Sequence, residues 1–125
     1  MELYYEGEAE LSHVDVDEMA QCLGFTPRGQ EGEYRVYAAS GPFGAGEVKL
    51  YLRVLSQSPL VLEGRLEGLG TVNNFELSVA GGKWRFKGRQ TGLLNFLGKE
   101  FFDRAARSFV ERALACVRNI NRGEG

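Results

Sequence analysis

The stretch GLLNFLGKEFFDRAARSFVERALACVRNI, residues 92–120, decides the fold. Phe101, Phe102, Ala105, Ala106, Phe109, Val110, Ala113, Leu114, Val117 and Ile120 recur at intervals of three and four, which lays one broad apolar stripe along a helix. Lys99, Glu100, Asp103, Arg104, Arg107, Glu111, Arg112 and Arg118 fill the other side. The stretch reads as one long helix of about 40 Å at 1.5 Å per residue. A stripe of that length needs an equally long apolar partner.

The upstream sequence supplies one. Leu3, Tyr5, Gly7, Ala9 and Leu11 alternate with Glu2, Tyr4, Glu6, Glu8 and Glu10, the period of a strand with one buried face. Asp15 stands three residues before Glu18 in a capping-box pattern, and Val16, Met19, Ala20 and Leu23 form a small apolar side that Gly24 ends, so a short helix is predicted. TPRGQEG, 26–32, reads as a loop. Strands are predicted over 33–39, 47–55, 60–68, 71–80 and 83–90, with SGPFGAG, 40–46, as a turn or bulged bend. Short connections make these an antiparallel meander. The expected class is α+β: a curved antiparallel sheet of about six strands, its concave face covered by the long C-terminal helix. Residues 1–120 form one domain and 121–125 a disordered tail.

Charge patterning adds a pairing. Glu2, Glu6, Glu8 and Glu10 line the outer face of the first strand, and Lys83, Arg85, Lys87 and Arg89 that of the last. Opposite charges favour neighbouring strands, so these two should pair. A basic binding strip is the rival reading of Lys83 to Arg89. The net charge of −2 argues against a general nucleic-acid partner. No apolar run reaches the roughly 20 residues of a membrane span, and MELYYEGEAE is unlike a signal or transit peptide. Cys22 and Cys116 have no partner spacing and read as reduced, which points to the cytoplasm; a structural disulfide between them is the lesser alternative.

Little in the sequence suggests catalysis. His13 has no local ligand partners, Ser12, Ser40 and Ser108 lack a nucleophile context, and Asp15 and Asp17 read as helix-start charges. GPFGAG lacks the ending of a phosphate loop. No catalytic residue, metal ligand or cofactor is expected. The inward set is more informative. Tyr5, Tyr34, Val36, Leu50, Leu52, Leu62, Leu66, Phe75, Leu77, Trp84 and Phe86 from the sheet, with Phe101, Phe102, Ala105 and Phe109 from the helix, are the candidate walls of a ligand cavity. Tyr5 and Tyr34 would offer hydroxyls. Gly7, Ala9, Gly64 and Gly88 would leave room. A filled core, with glycines bending the sheet, is the competing reading. Leu93, Leu94, Phe96 and Leu97 form either an exposed interface patch or packing beneath Pro42 and Phe43.

The order of elements resembles the helix-grip fold of the START and Bet v 1-like superfamily. Within it, GEYRVYAASGPFGAGEVKLYLRVL, LEGRLEGLGTVNNFELSV and TGLLNFLGKEFFDRAARSFVERAL resemble the carbon monoxide dehydrogenase G-subunit family. The likeness covers 32–120 and the first strand. Family members place two helices after that strand, whereas residues 12–32 here hold one, so the resemblance implies a more open cavity mouth or one closed by a second copy. It further implies a non-enzymatic domain for a lipid or quinone. It also implies an accessory role with a molybdenum carbon monoxide dehydrogenase-type redox enzyme and at most peripheral membrane contact. The alternatives are an interaction module, with a homodimer as one form, and a cyclase- or hydrolase-type enzyme.

Overall fold

The computed structural model describes residues 1–9, 14–40 and 46–121, without the side chains of 120 and 121. Glu10, Leu11, Ser12, His13, the bend around Pro42 and Phe43, the Ile120 side chain and the tail 122–125 lie outside the described residues. The elements are β1 (Glu2–Glu8), α1 (Val16–Cys22), β2 (Thr26–Glu31), β3 (Tyr34–Ser40), β4 (Glu47–Gln57), β5 (Leu60–Gly68), β6 (Thr71–Ala80), β7 (Lys83–Gly92), a 3₁₀ turn (Leu93–Leu97) and α2 (Lys99–Asn121). The fold is α+β, an open antiparallel sheet of seven strands in the order β1-β7-β6-β5-β4-β3-β2 with a C-terminal helix.

The charge pattern of the outer strands is realised. β1 pairs with β7, setting Glu2 opposite Arg89, Tyr4 opposite Lys87, Glu6 opposite Arg85 and Glu8 opposite Lys83. Arg89 and Glu2 approach to 3.2 Å. Such exposed pairs contribute only about 0–1 kcal/mol each; Leu3 and Tyr5, buried on the other face, hold the strand.

Two expectations about the chain's course are corrected. Residues 26–32 are no loop: Thr26–Glu31 pair with β3, which makes the sheet seven-stranded. All six residues of β2 are exposed, so no apolar alternation marks the strand. Its register shifts between Pro27 and Gly29, a bulge that suits a sheet edge. The long helix is also not continuous from 92. Gly98 has φ of +88°, a left-handed conformation that ends the 3₁₀ turn and re-aims the chain before α2. The 23 residues of α2 then run for about 35 Å.

A third correction concerns the cysteines. Cys22 at the end of α1 and Cys116 on α2 form a disulfide across 94 residues. The two helices meet in the fold although nothing local in the sequence links them. The compartment inferred from reduced cysteines loses that support. α1 itself forms as its signals indicate: Asp15 accepts from the Glu18 backbone N–H at 3.1 Å, and the Phe25 N–H closes on Ala20 O beyond the helix end.

The core lies between the helices and one face of the sheet. Val16, Met19 and Ala20 of α1 and Val110, Ala113, Leu114 and Val117 of α2 pack with Leu50, Leu62, Leu77 and Trp84. No described helix is long and apolar enough to cross a membrane.

Candidate functional site: a cleft between the last helix and the sheet

The packing of α2 on the sheet is incomplete on one side. A cavity of about 550 Å³ opens between the first half of α2 and strands β4 to β7. This is within the range of small-molecule sites. Phe75 and Phe86, stacked at 5.4 Å between ring centres, form its floor, and Phe109 meets Phe75 edge-on. Leu66 and Val48 line it from the neighbouring strands, and Phe101, Phe102 and Ala105 from α2. Arg112 is its sole ionisable lining side chain among the described residues.

Seven of the sequence-predicted wall residues therefore meet in one cleft: Leu66, Phe75, Phe86, Phe101, Phe102, Ala105 and Phe109. The others do not line it. Leu50, Leu62, Leu77 and Trp84 are buried in the core, and Leu52 reaches a different recess. Tyr5 is buried, but its hydroxyl is committed to the Asp103 carboxylate, so it is not available to a ligand. Burial, then the Asp103 hydrogen bond, pushes its pKa well above the ordinary phenol range.

Tyr34 and Val36 are corrections. In β3 it is Tyr37 that pairs with Leu50, and therefore Arg35, Tyr37 and Ala39 share the helix-covered face. Tyr34 and Val36 lie on the opposite face. There Tyr34 donates to Glu63 and stacks with Arg53, while Val36 is paired with Tyr51.

The small residues also differ from expectation. Space left by Gly7 is occupied by Trp84, and that left by Gly64 by the ring of Phe75; a Cβ on either glycine would fall within 2.4 Å of a ring atom. These two glycines accept aromatic side chains from the adjacent strand. Ala9 is packed in the core. At Gly88 a Cβ would lie 3.1 Å from Asn73 Oδ1, at the cleft itself.

Asn73, Gln90 and Thr71 were missed by the sequence reading. All three line the cleft, and Gln90 is 3% exposed. Register places Asn73 opposite Gln90, with Thr71 two residues away on the same face. Asn73 Nδ2 donates to Gln90 Oε1 at 3.2 Å, leaving buried Asn73 Oδ1 and Gln90 Nε2 without partners among the described residues. Thr71 Oγ1 accepts from the Leu94 N–H at 3.1 Å and keeps its own hydrogen to donate. The signal was available: period two carried backward from Phe75 reaches Asn73 and Thr71, and forward from Gly88 reaches Gln90.

The cleft mouth is apolar. Leu69 is 40% and Phe101 44% exposed, and both line the cavity. Leu93 and Phe96 of the 3₁₀ turn are 75% and 79% exposed, Leu97 40%, while Leu94 turns into the cleft. A recess of about 620 Å³ at the other end of the sheet is larger. Its wall holds Asp15, Glu33, Arg35 and Arg53, and its charges pair among themselves and with neighbours: Arg35 with Asp17, Arg53 with Glu33 and Glu63. Both of those cations have carboxylate partners, whereas the amides of the cleft are only half satisfied. Neither the protein-family models nor the curated proteins match this chain.

Proposed function

We propose that the protein is a non-enzymatic binding domain for a hydrophobic small molecule, a lipid or quinone, held between α2 and the sheet. The observation that carries this reading is the aromatic-walled cavity of about 550 Å³ that ends in buried, unpartnered amides. Arg112 being the sole ionisable lining residue among those described favours binding over acid–base chemistry. The order of strand, short helix, six strands and long helix supports assignment to the helix-grip class.

The exposed Leu93 and Phe96 beside the mouth favour a partner surface there. The reading therefore includes the accessory role toward a redox enzyme that the family resemblance implies, with a homodimer as the alternative use of that surface.

The test is organic extraction of natively purified protein followed by mass spectrometry. Ala105 is an exposed α2 residue on the cleft wall, and Ala105→Trp fills the cavity without entering the core. A stoichiometric hydrophobic compound in the wild type, absent from Ala105→Trp, is the expected result. An empty extract, with no uptake of fatty amides, fatty acids or quinones on incubation, overturns the reading.

A further inference from the structure

The unpartnered groups of the cleft say more than that something apolar binds. Asn73 and Gln90 share a single hydrogen bond in which one amide nitrogen donates to the other's oxygen. Which end of each amide is nitrogen follows from the hydrogen-bond network. If both amides are turned over, Gln90 donates to Asn73, and the leftovers become an Asn73 nitrogen and a Gln90 oxygen. Either way one N–H donor and one carbonyl acceptor remain unused. Thr71 adds a hydroxyl donor on the same face.

A hydrocarbon end would leave all of these unsatisfied. An ester or quinone, which only accepts, would leave the amide oxygen unpaired. A carboxylate also only accepts, and none of the three residues carries a charge to compensate it. We infer that the ligand carries an uncharged head combining a carbonyl oxygen with an adjacent N–H or O–H, the primary carboxamide being the simplest form. On a turn of the Asn73 and Gln90 side chains, whose free atoms have almost no surface open to solvent, its carbonyl accepts from the free amide N–H and from Thr71, and its N–H donates to the free amide oxygen. The alkyl body lies along Phe75, Phe86 and Phe109. This inference rests on the cleft reading above and narrows its ligand class, lipid or quinone, to a lipid with a neutral amide-like head.

The test is displacement of the neutral fluorophore N-phenyl-1-naphthylamine by three probes of equal chain length: decanamide, methyl decanoate and decanoate, at pH 8. Decanamide is expected to bind about tenfold or more tightly than either other probe, the worth of roughly one satisfied hydrogen bond. In Asn73→Leu/Gln90→Leu, which replaces both amides with apolar groups of similar size, the preference for decanamide over the ester should fall to within about twofold. Thr71→Val, a smaller change, should reduce it part-way. Equal binding of amide and ester by the wild type, or tighter binding of decanoate that depends on Arg112, overturns the head assignment and leaves the cleft reading standing. Failure of all three probes and of the fluorophore to bind overturns both.

Discussion

Trp84 occupies the space that its register partner Gly7 leaves open, with the indole 2.3 Å from where a Cβ on Gly7 would stand. The same arrangement joins Gly64 to Phe75 at 2.4 Å. Both rings are buried, Trp84 within the core and Phe75 on the floor of the cleft. Gly7→Ala and Gly64→Ala should each destabilise the fold by about 1–3 kcal/mol, the usual cost of forcing extra atoms into a packed interior. Differential scanning calorimetry reads the loss; unchanged melting temperatures would show that the rings do not need these glycines.

The disulfide between Cys22 and Cys116 restrains an unfolded loop spanning 94 residues of sequence. By loop-closure entropy, its removal should cost on the order of 4–5 kcal/mol. The Cys22→Ser/Cys116→Ser variant, or the wild type in reductant, is expected to melt roughly 15–20 °C lower. A variant as stable as the oxidised protein would mean that the α1–α2 contact is sufficient by itself.

Leu69 holds φ of +54° between β5 and β6, in the left-handed region that leucine disfavours. It is also exposed at the cleft mouth. Asparagine tolerates that conformation, so Leu69→Asn should raise stability by about 1 kcal/mol. The same change should weaken capture of N-phenyl-1-naphthylamine by removing apolar surface from the mouth. Chemical denaturation and fluorophore titration on one sample measure both; a variant that gains stability and keeps full affinity would remove Leu69 from the binding surface.

Alkaline stability should be limited by tyrosine. Burial, and then hydrogen bonds to Asp103 and Asp17, raise the pKa values of Tyr5 and Tyr37 above the ordinary value of about 10. The folded protein thus keeps two protons that the unfolded chain releases near pH 10. Their contribution is complete below about pH 10 and diminishes as pH rises beyond it. The pH dependence of urea midpoints between pH 9 and 11 should therefore slope downward, and Tyr5→Phe should make the slope shallower. A flat profile would contradict the burial of these hydroxyls.

Much of this architecture was legible in the sequence where each strand has one wet and one dry face. β5 and β6 lie on 60–68 and 71–80 as predicted, and the acidic and basic stripes found each other across β1 and β7. Legibility failed where that asymmetry is absent. β2 has no buried face, so it looks like a loop. β3 buries Val36, Tyr37 and Ala38 in succession, which leaves alternation without a phase and put Tyr34 and Val36 on the wrong side. The cysteines are brought together only by the meeting of α1 and α2, which no local spacing records. At the cleft, aromatic residues announced themselves by hydrophobicity. Thr71, Asn73 and Gln90 did not, because polar residues at inward positions are conspicuous only after the period is extended through them.

The link between Cys22 and Cys116 makes a closed ring of the intervening chain, and β2 to β7 all fall inside it. Among the described strands β1 alone lies outside it, tied to β7 by its ladder and to α2 by Tyr5 and Asp103. Peeling β1 from the sheet would expose Leu3 and Tyr5 but would not require any part of the ring to open. The β1 amides should therefore exchange with deuterium ahead of those of β5 and β6.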